Sequence, residues 1–479
     1  MTETSLDPSS RPTLVWLRRD LRLVDHPALA AAAEAGPVIP VFILDPETEG
    51  LGAAHLFRLH LSLERFSAAL AARNARLILK RGEALPNLRA LIKETGAKAV
   101  HWSRLHDRAA RARDAQVKSA LKDDGVDARS FPGHLLFEPW TVETGQGSFY
   151  KVYTPYWRAV QDRTVHEPLP APKLTLPEVR PYSLTLDDLA LSARMNRGAE
   201  VVARYVDPGE DAALARLESF LDAKVADYAT MRDRPDLDAT SSMSDHLALG
   251  EISPRTIWTL AQRRRQGGKS EGATTFLKEI VWREFAYHLL HHTPRIETGN
   301  WREQWDDFPW RDDNEDAERW RRGRTGVPAV DAAMRELHVT GRMHNRMRML
   351  TASYLTKHLM THWRVGEAFF AEHLVDWDPA SNAMGWQWTA GSGPDASPFF
   401  RIFNPETQGE KFDPMGAYRR RFLAELSAAP PEDALAFFDA VPRSWGLRPD
   451  DRYPDPIVDL KTGRQRALDA YSALRDRAA

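Results

Sequence analysis

Short apolar runs alternating with helical spacing fill the first third of the chain. LVWLR (14–18), VIPVFIL (38–44), RLILK (76–80) and KAVHW (98–102) read as strands buried on both faces. Between them, ALAAAAEA, HLFRLHLSLERFSAALAARN and LPNLRALIKETG carry the spacing of helices. This alternation over residues 13–131 predicts a parallel, doubly wound α/β sheet. The pattern then changes. Five prolines (Pro168, Pro170, Pro172, Pro177 and Pro181) fall within fourteen residues, which excludes a continuous helix or a central strand. A long connection over the surface of one domain is expected there. From Pro208 onward helical spacing dominates, as in TTFLKEIVWREFAYHLLHH and HNRMRMLTASYLTKHLMTHW. The expected organisation is an α/β domain over 12–135, a linker over 136–205 and a helical domain over 206–479, without internal repeats.

Composition narrows the chemistry. At 479 residues, with 43% hydrophobic and 28% charged, the chain fits a soluble globular protein of two or more domains. The polar start MTETSLDPSSRPTL has no apolar segment of signal-peptide type, and no apolar stretch reaches the length of a bilayer span. A cytoplasmic address without a membrane partner is expected. The absence of cysteine removes disulfides, thiol nucleophiles and cysteine-ligated zinc or iron–sulfur sites. Redox chemistry must therefore come from an organic cofactor or from aromatic side chains. A net charge of −2 does not exclude nucleic acid, because arginines cluster locally at 319–324, 342–348 and 419–421. Of the 15 tryptophans, all but three lie beyond residue 150, so the second half uses large flat side chains.

Candidate chemistry concentrates in that half. No G-x-G-x-x-G follows the first strand in WLRRDLRLVDHP, and no Walker loop occurs. His358 and His362 are spaced like zinc ligands but lack the glutamate of that motif, and His288, His291 and His292 have no carboxylate in place, so no metal is expected. Glu279, Trp282 and Arg283 share one helical face by i, i+3, i+4 spacing, as do Asn345, Arg348 and Met349. Such faces are either ordinary ion-paired helix surfaces or the wall of a pocket for a stacked, polar-edged ring. The polar stretch 376–405, DWDPASNAMGWQWTAGSGPDASPFFRIFNP, is a functional loop candidate.

VWLRRDLRLVDHPAL, TGVPAVDAAMRELHVTGRMHNRMRMLTASYLTKHL, NAMGWQW and FRIFNPETQGEKFDP, in this order, resemble the photolyase/cryptochrome family over about residues 13–430. The resemblance implies an N-terminal α/β antenna domain, a long linker and a C-terminal helical FAD-binding domain. It implies that Tyr228 and the run Thr240, Ser241, Ser242, Met243 and Ser244 hold the FAD phosphates, with Arg348, Asp376 and Asp378 beside the flavin and Asn382 facing flavin N5. Plant cryptochromes carry Asp at that last position, so Asn382 favours repair over signalling. Glu279, Trp282, Asn345, Met349 and Trp388 match positions lining a lesion pocket, and photolyases flip their target out of the duplex. Arg283, Arg346 and Arg401 are candidates for DNA phosphates. Trp386, Trp363 and Trp310 match a three-tryptophan path from flavin to surface.

The implied activity is light-driven repair of cyclobutane pyrimidine dimers in DNA, by electron transfer from excited reduced FAD to the flipped dimer. The implied partner is UV-damaged DNA, met by a monomer with no obligate protein partner. Asn345, where (6-4) photolyases have a second His, points to the cyclobutane lesion. Arg342 before MHNR and Trp377 within DWD resemble the bacterial class III branch. The rival is a blue-light cryptochrome, for which a long C-terminal extension is common and about fifty residues remain here. A small-molecule flavin oxidoreductase is disfavoured by the missing nicotinamide fingerprint. An antenna chromophore is implied, with methenyltetrahydrofolate favoured. Ala109 and Ala110 replace the Asn-Glu pair of folate-binding members, so folate in another pose, another antenna or none stay open.

Overall fold

The computed structural model describes residues 11–267, 270–395, 398–399 and 401–478. The polar start over 1–10, and Ala396, Ser397 and Phe400 of the 376–405 stretch, lie outside the described residues. Five parallel strands form one sheet in the order β3-β2-β1-β4-β5: β1 (Thr13–Leu17), β2 (Val38–Leu44), β3 (Ile78–Arg81), β4 (Ala99–Ser103) and β5 (Asp127–Phe131). Every residue of β1, β2 and β4 is buried, as their unbroken apolar runs predict. Pro40 costs β2 no bond toward β3, because that pairing starts only at Val41, opposite Ile78. The named strand runs shift by at most two residues. β5 was not among them: it is an edge strand of sequence DARSF in which only Ala128 is fully buried, so it carries no apolar run to read.

The crossovers are α1 (Pro27–Ala35), α2 (Ala53–Ala71), α3 (Ala84–Thr95) and α4 (Arg108–Asp123). α1 starts where Pro27 occupies the first helical turn and His26 Nδ1 accepts from Leu29 N. α4 starts where Asp107 accepts from Ala110 N. The connection after β5 includes α5 (Tyr153–Val160) and then lies back on the sheet domain: Val38 N donates to Thr175 O, and Leu184 N to Leu79 O. Beyond it the chain is helical, and the site rests on α6 (Ser244–Leu249), α7 (Ser270–His292), α8 (Asn345–Ser353), α9 (Trp363–His373) and α10 (Pro379–Ala390).

The VWLRRDLRLVDHPAL segment joins the two halves. Arg22 is buried and donates to the carbonyls of Asp25, Gly133 and Gly250. Gly250 ends α6 at φ +66°, and a Cβ there would meet Arg19 O at 2.2 Å, so the close approach and the backbone angle both require glycine. A second tie is fully buried. Arg58 of α2 bonds Glu251 at 2.6 Å, and Asp245 of α6 bonds both Arg58 and Arg342. Among the described residues no helix is long and apolar enough to cross a membrane, and no cluster of three metal-ligating side chains occurs.

Removing Arg58 takes the bidentate guanidinium from buried Glu251 and one of two bonded arginines from buried Asp245. Arg58→Met is expected to cost about 3–5 kcal/mol, read as a lower denaturant midpoint at unchanged slope.

Candidate active site

Asp378 organises the centre of the helical half. Its Oδ1 accepts from Ser381 N at 2.9 Å as the cap of α10, with Pro379 in the first turn. Its Oδ2 accepts from Arg19 Nη2 at 2.9 Å and from the Tyr287 hydroxyl of α7. Burial opposes the charge, but Arg19, Arg283 and the tyrosine hold the carboxyl below its ordinary range. Tyr287 also meets His134 Nε2 at 3.0 Å, and burial keeps that imidazole neutral. Arg283 donates to His134 O at 2.9 Å and sits against Glu284, its side chain 10% exposed. The guanidinium of Arg283, expected to reach a DNA phosphate, bonds inside the fold, where it fixes the connection to α7.

One cavity gathers most of the remaining candidates. Asn345, Arg348 and Met349 of α8 line it from one side, and Asp376, Asp378, Asn382 and Trp386 from the other. Arg348 donates to Asp376 Oδ2 at 2.7 Å and to Met343 O. Asp376 Oδ1 is buried and has no partner among the described residues, so a donor from a bound group would complete it. Asn382 Nδ2 donates to Glu367 O at 3.1 Å. That bond orients the amide and leaves Oδ1 as an acceptor.

Glu279 forms an ion pair with Arg232, while Arg346 bonds Asp233 at 2.7 Å and lies over the Phe412 ring. The adjacent Arg232 and Asp233 thus tie the faces of α7 and α8 to one short segment. Sequence reading missed both; their only signal was the charge-dense MRDRPD run. Trp282 stacks on Tyr153 of α5 at 3.7 Å between centroids and 5° between planes, another partner that spacing could not supply. Trp388 is half-buried and Arg401 exposed. Tyr228 is buried against Phe220 and Phe276. Thr240, Ser241 and Ser242 are half-buried, Met243 is buried and Ser244 exposed, with Ser242 turning the chain into α6 at φ +50°.

Trp386 and Trp363 are buried and Trp310 half-buried. A Cβ on Gly366, one turn into α9 from Trp363, would meet the Trp386 ring at 2.0 Å, so glycine there admits the indole. His362 lies 5.1 Å from Trp310 and 5.5 Å from Trp363, ring centre to ring centre.

Two clefts flank α4. One, of about 590 Å³, opens at the carboxyl ends of β1, β2 and β4, where the strand order reverses; it includes Ala109 and Ala110 and reaches Trp377 and Asn382. The other, of about 700 Å³, is lined by Trp102, Trp140, Arg104, Arg108, Arg111 and Lys118.

The structure is thus a parallel sheet domain clasped to a helical domain that holds a carboxylate–amide cavity beside buried tryptophans. Residues 13–173 match the family model described as DNA photolyase, and 276–473 the FAD binding domain of DNA photolyase. The chain belongs to the photolyase/cryptochrome family. It is 46% identical to a deoxyribodipyrimidine photo-lyase of Agrobacterium fabrum, over 97% of this chain and 98% of that one. It is 34% identical to cryptochrome-2 of Arabidopsis thaliana, over 97% of this chain and 79% of that one. A solved bacterial class III photolyase from Agrobacterium tumefaciens superposes with a TM-score of 0.91 at 45% identity, covering 99% of this chain and all of that chain (100%).

Burial pushes the Glu284 carboxyl from 4.5 up to about 7, against the pull of Arg283 and two backbone N–H groups. The folded state keeps a proton that the unfolded state releases, so stability falls as pH rises from 4.5 to about 7. Glu284→Gln is expected to remove about 3 kcal/mol of that slope, read from urea midpoints across the window. Asp376→Ala is expected to lower flavin retention on purification about tenfold or more, since a buried charged acceptor is lost.

Proposed function

We propose that the protein is a deoxyribodipyrimidine photo-lyase of the class III branch, repairing cyclobutane pyrimidine dimers in DNA with light and FAD. The observation that carries this reading is the shared cavity: the side expected to face the flavin (Asp376, Asp378 and Asn382) and the side expected to face a lesion (Asn345 and Met349) line the same space. Cofactor and flipped dimer would meet there without protein between them. When bound and reduced, FAD supplies a light-absorbing one-electron donor.

The chain's own groups do the rest. The free Asp376 oxygen would accept an N–H of the bound flavin, and Arg348 keeps that carboxylate in place. Asn382 Oδ1 needs an N–H to meet, which flavin N5 carries only in its protonated forms. This supports repair over the photoreceptor reading. Tyr228 and the Thr240–Ser244 turn hold the phosphates. Glu279, steadied by Arg232, bonds the edge of the extruded pyrimidines. Trp282 and Trp388 offer it apolar surface, and Arg346 and Arg401 take flanking phosphates. Trp386, Trp363 and Trp310 would be the side chains through which electrons from an outside reductant reach the cofactor.

The antenna follows from charge. Folate is an aromatic anion, and the cleft with Trp102, Trp140 and four cationic side chains suits it; Trp140 is 45% exposed, with Arg104 over its ring. The other cleft mixes Glu47, Asp107, Glu297 and Glu367 with Arg18, Arg19, Arg108 and Arg113, so its charges balance where those of the first are mostly positive. Methenyltetrahydrofolate in the cationic cleft is thus the favoured second chromophore, in a pose that needs no Asn-Glu pair. The functional division is antenna domain 12–135, linker 136–205 and FAD domain 206–479, in a monomer acting on DNA in the cytoplasm.

The test is repair of UV-irradiated oligo(dT) by photoreduced protein, followed as recovery of thymine absorbance under blue light with a dark control. Light-dependent recovery is expected. A flavin-loaded, photoreducible protein that recovers nothing would move the assignment to a photoreceptor. Glu279→Ala should keep FAD and lose repair; unchanged repair removes Glu279 from the lesion site.

A further inference from the structure

We propose that Asn300, backed by Asp306, is a positioning residue for the tryptophan chain, making Trp363 easier to oxidise than Trp386 so that the electron vacancy moves outward. This rests on reading Trp386, Trp363 and Trp310 as an electron path. The three indole N–H groups have different surroundings. Trp386 Nε1 is buried without a hydrogen-bond partner among the described residues. Trp363 is fully buried and donates to Asn300 Oδ1 at 2.8 Å. Trp310 is half-buried and donates to Thr356 O at 3.1 Å. An indole that loses an electron becomes positively charged, and its N–H a far stronger donor. An acceptor already in place therefore stabilises the oxidised ring more than the neutral one, as charge-assisted bonds do. In a buried site the difference is not diluted by water.

The acceptor at Trp363 is itself polarised. Asn300 Nδ2 donates to Asp306 Oδ1 at 2.9 Å, and Asn300 O takes a bond from Arg295 Nε at 2.7 Å. The bond from Asn300, followed by Arg295, holds the Asp306 carboxyl below its ordinary range despite some desolvation, so it is ionised at neutral pH. Asn300 is 4% exposed, whereas the Asp306 side chain is 47% exposed. A half-exposed carboxylate, shared with Arg295, thus acts on a buried indole through one amide, without the cost of burying the charge itself.

The amide also matters for what it cannot do. A carboxylate in direct contact would take the indole proton and trap a neutral radical at Trp363. An amide oxygen is too weak a base for that, so the proton stays and the vacancy passes on. In each turnover of the path one electron leaves Trp386 for the flavin, Trp363 replaces it, and Trp310 replaces that one. An exogenous thiol restores Trp310, and two such events oxidise two thiols to one disulfide with release of two protons.

The test is the rate at which blue light bleaches the oxidised-flavin band in thiol buffer, with the transient absorption of oxidised indole as a second readout. Asn300→Leu is expected to slow bleaching roughly tenfold, the weight of one hydrogen bond to a charged group. Flavin content and spectrum should be retained, as should repair by protein reduced chemically in the dark. In a Trp363→Phe background Asn300→Leu should change nothing further. Asp306→Asn, at an exposed position, is expected to slow bleaching about threefold, as the amide loses its polarising charge. Unchanged bleaching in a flavin-loaded Asn300→Leu protein overturns the proposal, as does a further loss in the Trp363→Phe background. If Asn300→Leu does not retain flavin, an unchanged rate in Asp306→Asn overturns it instead. Wild-type bleaching in Trp363→Phe alone would refute the tryptophan path itself, a distinct failure.

Discussion

A single buried carboxylate, Asp378, has to keep its charge in the middle of the protein, and much of the architecture follows from that demand. Its donors come from three places: Arg19 after the first strand of the sheet, Tyr287 in the long helix of the helical half, and the first turn of the helix it caps. Removing Arg19 would leave that carboxylate without its ion-pair partner in a low-dielectric interior, where the penalty is several kcal/mol. The sheet domain therefore helps to hold the wall of the cavity that Asp378 lines. The RRDLR segment serves this clasp, which explains why its arginines point inward although the chain acts on a polyanion.

Around this anchor the site divides its labour by burial. Arg348 and Asp376 are paired, with the carboxylate shielded. Asn345 and Arg401, by contrast, are exposed. Between these extremes lie Glu279 and Arg346, each tied to a partner on the 228–236 segment. Such tethers restrict the side chain before substrate arrives, which lowers the entropy lost on binding. Trp386 lines the cavity, Trp363 is fully buried and Trp310 half-buried, and the last two donate to acceptors that Trp386 lacks among the described residues.

What the sequence by itself determined was what local pattern can carry. Unbroken apolar runs specified β1, β2 and β4, because strands covered on both faces need apolar side chains throughout. Prolines marked the connection, and helical spacing placed Glu279 with Trp282, and Asn345 with Arg348 and Met349, on common faces. The ordered motifs from VWLRRDLRLVDHPAL to FRIFNPETQGEKFDP carried the family, its cofactor and its reaction. Tertiary structure alone decided the partners. β5 was invisible because an edge strand need not be apolar. Arg283 looked like a surface cation because spacing says which residues share a face, not what another segment lays over it; His134 arrives from about 150 residues away. Arg232, Tyr153 and Asn300 were missed for the same reason. A hydrogen bond or a stacked ring is a relation between distant segments, and only the packing of one helix against another brings both halves of it together.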